Sequence, residues 1–214
     1  MVDECLMNVC FRSATCEDAE AIVELICLAD QAHRPVPGYQ LALPDPVERL
    51  EVLRKLTCTR ILQPFHHSLF LVAEVDGKVV SGLSGHDPAT GGMDRVGEAL
   101  VEIGWSTAQI EALEERIAPV SLSLPRPEHA WVIDHVATLD GWRRRGLARE
   151  LIERMVARGF ALGFKTVQLD VYTGNLAAQR VYEQAGFRAV GEYTNESFAK
   201  IMGCPGITRL VRSN

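Results

Sequence analysis

The sequence predicts an α/β fold, a mixed and mostly antiparallel central sheet with helices on both faces, and three observations carry that expectation. In "SLFLVAEVDGKVVSGLSGH" two apolar runs flank Asp76-Gly77, a dipeptide suited to the positive φ angles of a tight hairpin turn, so one part of the sheet is antiparallel. In "AWVIDHVATL" and "TVQLDVY" two apolar strands are joined by an amphipathic helix, and a βαβ unit of this kind runs parallel. The 214 residues are 47% hydrophobic and 23% charged, an ordinary globular composition with enough apolar mass for one full core.

The elements follow in order. "NVCFRSAT" alternates polar and apolar residues, as a strand does, and leads into "CEDAEAIVELICLAD", where Ala21, Ile22, Leu25, Ile26 and Cys27 recur at helical spacing. "HRPVPGYQLALPDP" is rich in Pro and Gly and reads as a loop. "DPVERLEVLRKL" restarts a helix, with Asp45 as N-cap and Pro46 at the first helical position. After the hairpin, "MDRVGEALVEIG" reads as a helix ending at Gly104. "STAQIEALEERI" reads as another, with Ser106 and Gln109 in capping-box spacing. A Pro-broken loop, "LPRPEH", precedes the strand "AWVIDHVATL". In the helix that follows, Leu147, Leu151, Ile152, Met155 and Val156 form one apolar stripe. "TVQLDVY" is a strand, "NLAAQRVYEQAG" a short helix closed by Gly186, and "FRAVGEYT" and "GITRLVR" are terminal strands. Residues 1–214 thus form a single domain, with a helical insertion at about 87–128.

Charge and cysteines narrow the classes. A net charge of −6 argues against a nucleic-acid footprint, so any basic chemistry must be local. The six cysteines, Cys5, Cys10, Cys16, Cys27, Cys58 and Cys204, show no CxxC pairing and read as reduced thiols of a cytoplasmic protein. "MVDECLMNVC" carries acids where a secretory signal carries lysines, and no apolar run reaches membrane-spanning length. His66-His67 and His129 have no ligand spacing with cysteine, so no metal is expected.

One stretch breaks a local rule. "GWRRRGLARE" places Arg143, Arg144 and Arg145 at a helix start, where the unpaired N–H groups already act as about half a positive charge. Cations gather there sensibly if an anion lies between them. Converging N–H groups and the dipole form an anion site. Gly146 lets the backbone approach closely, Ala148 keeps the next turn clear, and guanidinium forks match phosphate oxygens. The stretch reads as a pyrophosphate cradle; the bland alternative is three solvated arginines, or arginines paired with nearby acids. Neither GxxxxGK[ST] nor a GxGxxG after a strand is present.

These residues carry a resemblance. "VATLDGWRRRGLARELIERM" resembles the acyl-coenzyme A signature of the GNAT superfamily of N-acetyltransferases. Val136, Ala137 and Thr138 fall on its strand-ending triplet; Arg143, Gly146 and Ala148 match its loop. "LDVYTGNLAAQRVYEQAGF" is similar to the family's second signature, with Asn175, Ala178, Tyr182 and Gly186-Phe187 at the usual intervals, and "FRSATCEDAEAI" is similar to its opening strand and helix. Two departures stand out: Asp140 replaces a frequent proline, and Thr138 replaces an apolar residue.

The resemblance implies a splayed parallel strand pair, here Val132–Thr138 and Thr166–Val171, with the cofactor's pantetheine arm lying between them. Backbone groups of Val136, Ala137 and Thr138 then hold the arm, and an N–H near Val136 polarises the thioester carbonyl. Arg143, Arg144, Arg145, Gly146, Leu147 and Ala148 hold the diphosphate, and Asn175 and Ala178 border the arm. It implies acetyl-CoA (coenzyme A) as co-substrate, a primary amine of a small molecule or peptide as acceptor, and direct attack by that amine. Tyr182 is the expected proton donor to the departing thiolate, since phenol and thiol have ordinary pKa values of about 10 and about 8.5. Spacing alone favours Tyr182 as a packed residue of the helix face with Ala178, Val181 and Ala185, and makes Asn175 an N-cap that can also contact the cofactor arm.

The general base is less defined. Alternation along "WVIDHVAT" puts Val132, Asp134 and Val136 on one face and Trp131, Ile133 and His135 on the other. Asp134 is preferred over His135; His86, Glu98 and Glu102 are further candidates. The insertion serves as a lid on the acceptor site, or else as a packed appendage or homodimer contact. The competing function, from another class, is a catalytically silent acyl-CoA-binding sensor or regulatory module.

Overall fold

The computed structural model describes residues 8–35, 38–120 and 129–214. Its seven strands form one sheet in the order β1-β2-β3-β4-β5-β7-β6. The strands are β1 (Val9–Ser13), β2 (Phe70–Val75), β3 (Lys78–His86), β4 (Ala130–Thr138), β5 (Thr166–Tyr172), β6 (Arg188–Thr194) and β7 (Gly206–Ser213). Only β4 and β5 run parallel; every other neighbouring pair is antiparallel. The mixed, mostly antiparallel sheet predicted from the hairpin and the βαβ unit is therefore the one found. At the hairpin, Asp76 and Gly77 take φ of 49° and 76°, the left-handed pair that matches strand twist.

Helices cover both faces. One carries α7 (Leu147–Ala161) and α8 (Leu176–Gln184). The expected α7 stripe, Leu147, Leu151, Ile152, Met155 and Val156, is buried there against Trp131, Ile133, Val167 and Leu169. The other face carries α1 (Ala19–Gln31) and α3 (Pro46–Thr57), whose Ile22, Leu25, Ile26, Val52, Leu53 and Leu56 pack on Phe70, Val72 and Ala137. Asp45 caps α3 as expected, accepting from the Val47 and Glu48 N–H groups at 2.8 and 2.9 Å. Burying a leucine or isoleucine contributes about 1.5–3 kcal/mol, so these two apolar layers, rather than surface ion pairs, hold the sheet.

Some local expectations need adjustment. The Pro/Gly-rich loop contains one helical turn, α2 (Tyr39–Ala42). A helix α9 (Glu196–Met202), capped by Asn195, precedes β7, which inserts between β5 and β6. The insertion holds α4 (Pro88–Gly91), α5 (Val96–Glu102) and α6 (Thr107–Ile117), the last with its Ser106/Gln109 capping box. It packs on the domain: Ala99 and Leu100 are buried in the α1–α3 core, and Ile110 and Leu113 pack against it. The "LPRPEH" loop lies outside the described residues apart from its last residue.

The cysteine reading is corrected. Cys16 and Cys58 are joined as a disulfide, with Cα atoms 5.5 Å apart; Cys10, Cys27 and Cys204 are free thiols, and Cys5 lies outside the described residues. The two partners are 42 residues apart and meet only because the turn before α1 packs beside the end of α3, a contact that spacing alone cannot reveal. Among the described residues, no helix is long and apolar enough to cross a membrane.

Candidate active site

β4 and β5 pair only over Ala130–Val132 and Thr166–Gln168. Beyond these rungs β4 runs on to Thr138 and β5 to Tyr172 with no ladder between them. The parallel pair therefore opens into a split. Opposite it, the β3–β4 register slips: Ser84 faces Asp134, whereas Gly82 faces Ala137. One extra residue is thus held in β4, a bulge in which His135 takes φ of 56°.

A bulge reverses which face each later side chain meets, and this overturns the simple alternation expected of β4. Trp131 and Ile133 lie in the α7-side core, and Val136 packs against that same core. His135 lies on the other side, with ring centroids 5.4 Å from Phe65 and 5.9 Å from Phe70. Val136 and His135 have exchanged the faces that strict alternation assigns them. Asp134, half-buried, has Oδ2 3.8 Å from Nδ1 of buried His86.

His135 is committed elsewhere. Its Nδ1 lies 3.0 Å from Ser84 Oγ and its Nε2 3.0 Å from the Tyr39 hydroxyl. Burial pushes its pKa down to about 4, against the opposing pull of the Asp134 charge, so the imidazole is neutral near pH 7. Glu98 and Glu102 both have partners. Glu102 accepts from the Arg60 and Ile61 N–H groups, which lower its pKa. Glu98 is paired with Arg95 at 2.9 Å.

Tyr182 is buried on α8, in the α7-side core. Burial, with a smaller contribution from the Asp134 charge, holds its phenol well above the usual value. The hydroxyl therefore keeps its proton throughout the physiological range. Asn175 is the N-cap of α8, its Oδ1 accepting from the Ala178 N–H at 3.2 Å, and Ala178 packs against the same core.

Just past the split lies the arginine turn. A depression of about 810 Å³ is lined by Asp140, Gly141, Arg143, Arg144 and Arg145. Arg144 and Gly146 are both left-handed, with φ of 62° and 79°. Gly146 is the N-cap of α7 and has no side chain to cap it, whereas Asp45, Ser106, Asn175 and Asn195 cap their helices. The first N–H groups of a helix have no intrahelical partner, so α7 offers them outward. Leu147 is buried in the core and contributes only its backbone here, while half-buried Ala148 leaves the turn accessible.

The arginines are exposed but not idle. Arg143 pairs with Asp140 at 3.0 Å and donates to the Thr138 carbonyl at 3.2 Å; Arg145 sits 4.8 Å over the Trp142 ring. An exposed pair of this kind is worth about 0–1 kcal/mol, so Asp140 holds Arg143 only weakly. The Asp140 departure from the family pattern thus supplies an internal counter-ion. Ser81 Oγ donates to the Ala137 carbonyl and lies 2.7 Å from Thr138 Oγ1, fixing the end of β4 to β3.

Sequence reasoning missed the polar network beside the bulge: Asp30, Arg34, Tyr39 and Tyr172. Only the i,i+4 spacing of Asp30 and Arg34 hinted at it. Among the described residues no group of His, Cys, Asp and Glu side chains is arranged to hold a metal ion.

The acetyltransferase (GNAT) family model matches residues 38–187. The chain belongs to that family. It is similar in fold to an N-acetyltransferase from Staphylococcus aureus Mu50, at 18% identity over 95% of this chain and 100% of that one, with TM-score 0.66. Two other similar structures hold the cofactor or its product. One is yncA from Salmonella typhimurium with its cofactor acetyl-CoA, at 17% identity, 96% and 94% coverage and TM-score 0.54. The other is the aminoglycoside acetyltransferase AAC(6')-Ib with coenzyme A and kanamycin, at 16% identity, 97% and 95% coverage and TM-score 0.57. No curated protein sequence matches the chain.

Proposed function

We propose that the protein is an acetyl-CoA-dependent N-acetyltransferase that moves an acetyl group to a primary amine of a small molecule or peptide. The observation that carries this reading is the uncapped N-terminus of α7, set in an arginine-lined depression where the β4–β5 split ends. Its family and the coenzyme-bound structural neighbours support the choice of acetyl-CoA.

The α7 N–H groups of Gly146, Leu147 and Ala148 and the guanidinium groups of Arg143, Arg144 and Arg145 hold the diphosphate. Backbone groups of Val136, Ala137 and Thr138 line the pantetheine arm, with Asn175 and Ala178 on its far side. Acetyl-CoA supplies an activated acyl group; the chain supplies position and charge. Val136 lies in the bulge, out of register with β3, and its N–H is the donor for the thioester oxygen. Asp134, beside His86 on the acceptor side of the split, takes the proton from the amine, through water where the amine does not reach it. Tyr182, kept protonated by burial, donates to the sulfur as the thiolate departs.

Thiol release from acetyl-CoA, screened over polyamines, aminoglycosides, amino acids and peptide N-termini, tests the reaction. Tyr182→Phe is expected to lower kcat about a hundredfold while coenzyme A affinity, measured by calorimetry, stays unchanged. Coenzyme A binding without thiol release for any amine would instead favour the sensor or regulatory module.

A further inference from the structure

Tyr39 belongs neither to the arginine turn nor to the proton donor, yet it is held at two points. Its backbone N–H donates to Asp30 Oδ2 at 2.8 Å. The other oxygen of that carboxylate accepts from the Tyr172 hydroxyl at 3.3 Å, and Tyr172 is the last residue of β5. The Tyr39 hydroxyl meets His135 Nε2 at 3.0 Å, in the bulge of β4. β4 and β5 are the strands that part after Val132 and Gln168. One tyrosine is therefore tied to both sides of the opening.

Each end of the tie is itself fixed. Asp30 and Arg34 are both buried, and Arg34 bonds the Asp30 carbonyl, donates to the Met202 carbonyl at 3.4 Å and lies 3.8 Å over the Tyr172 ring. Gly38 has an ordinary helical φ of −65°, so it is not needed for its freedom. It is needed for room, because a Cβ there would lie 2.7 Å from both Asp30 Oδ1 and Met202 Cε. On the β4 side, Ser84 holds the second nitrogen of His135, and Phe65 and Phe70 flank its ring. A histidine kept at positive φ is a sparsely populated conformation that persists only where its surroundings over-determine it.

We propose that Tyr39, tied to β5 through Asp30 and to β4 through His135, is a positioning residue that sets the width of the opening in which thioester and amine meet. This rests on the acetyltransferase reading. A phenylalanine would fill the same space against Phe65, whose ring centroid is 5.6 Å away; what the hydroxyl adds is the bond to the bulge. A displacement of about 1 Å at reacting groups can lower a rate about a hundredfold, so a tie across the split acts on kcat more than on affinity.

The test uses the full chain and the variants Tyr39→Phe, His135→Asn and their combination; Asn tolerates positive φ better than most residues. Amide hydrogen exchange reads the tie without turnover. Tyr39→Phe is expected to raise exchange about tenfold within residues 133–138 while β1 and β2 stay protected. Thiol release from acetyl-CoA, with whichever panel amine the wild-type protein uses fastest, reads the consequence. The expectation is a kcat about tenfold lower, coenzyme A affinity within twofold, and a double variant no slower than the slower single. Unchanged exchange at the split, or single effects that multiply in the double variant, would overturn the proposal. Raised exchange in a chain whose wild type acetylates no amine would uphold the tie and remove the acetyltransferase reading instead.

Discussion

The arginine turn and the mouth of the sheet are separated by only a few residues, since β4 ends at Thr138 and α7 begins at Leu147. They are nevertheless built in opposite ways. The turn is made by one continuous stretch: two left-handed residues, an uncapped helix start and side chains within three positions of one another. The mouth is made by residues from five segments: Asp30 of α1, Tyr39 of α2, Ser84 and His86 of β3, Asp134 and His135 of β4, and Tyr172 of β5. On the proposed function the turn serves the diphosphate, which every acyl-CoA shares, through local backbone geometry, and the mouth serves the amine through side chains drawn from distant segments.

That contrast can be broken or sharpened by experiment, beginning with the largest effect. Opening the Cys16–Cys58 bond, by reductant or by Cys58→Ser, should lower unfolding stability by about 4 kcal/mol, the chain-entropy value for a loop of 42 residues. Because the bond joins elements on the mouth side of the sheet, coenzyme A affinity should hardly move; thermal unfolding and calorimetry on the same sample would show whether the two regions are separable. Next, Gly146→Asp places a Cβ and an anion where φ is 79°. We expect coenzyme A affinity to fall about a hundredfold, roughly 2.7 kcal/mol, with the chain still folded by circular dichroism.

Acid should act on the mouth through His135. His135 has a folded pKa of about 4 against about 6.5 when unfolded, so the native state favours the neutral ring. Its contribution to stability is complete above about pH 6.5 and disappears as pH falls towards 4, by roughly 2 kcal/mol once partial exposure is allowed for. His135→Asn should flatten that part of the stability–pH curve. Last and smallest, Gly38→Ala should cost about 1–2 kcal/mol through its clash with Asp30. It should also lower kcat about threefold with acetyl-CoA affinity unaltered; a matching loss of acetyl-CoA affinity would mean that the two regions are coupled.

Legibility followed the same division. The β2–β3 hairpin, the α7 stripe, the Asp45 and Ser106 caps and the helix start at Leu147 were readable because each depends on neighbours within a few positions. The faces of β4 beyond Asp134 were misread because a bulge is a property of pairing with β3, and the alternation rule assumes it away. The partner of Glu102, Arg60, comes from a distant segment and is not legible from spacing, whereas Glu98 pairs with its near neighbour Arg95.

The amino-acid sequence alone determined the main strands and helices, their order along the chain and the arginine turn at the start of α7, since backbone dihedral preferences, apolar periodicity and helix-end electrostatics act over a handful of residues. Tertiary structure alone decided the split between β4 and β5, the fate of each histidine and carboxylate, the Cys16–Cys58 pairing and the double tie on Tyr39. Those depend on which surfaces come together when the two apolar layers close over the sheet, and a buried polar group acquires its role only from the partner that desolvation forces upon it.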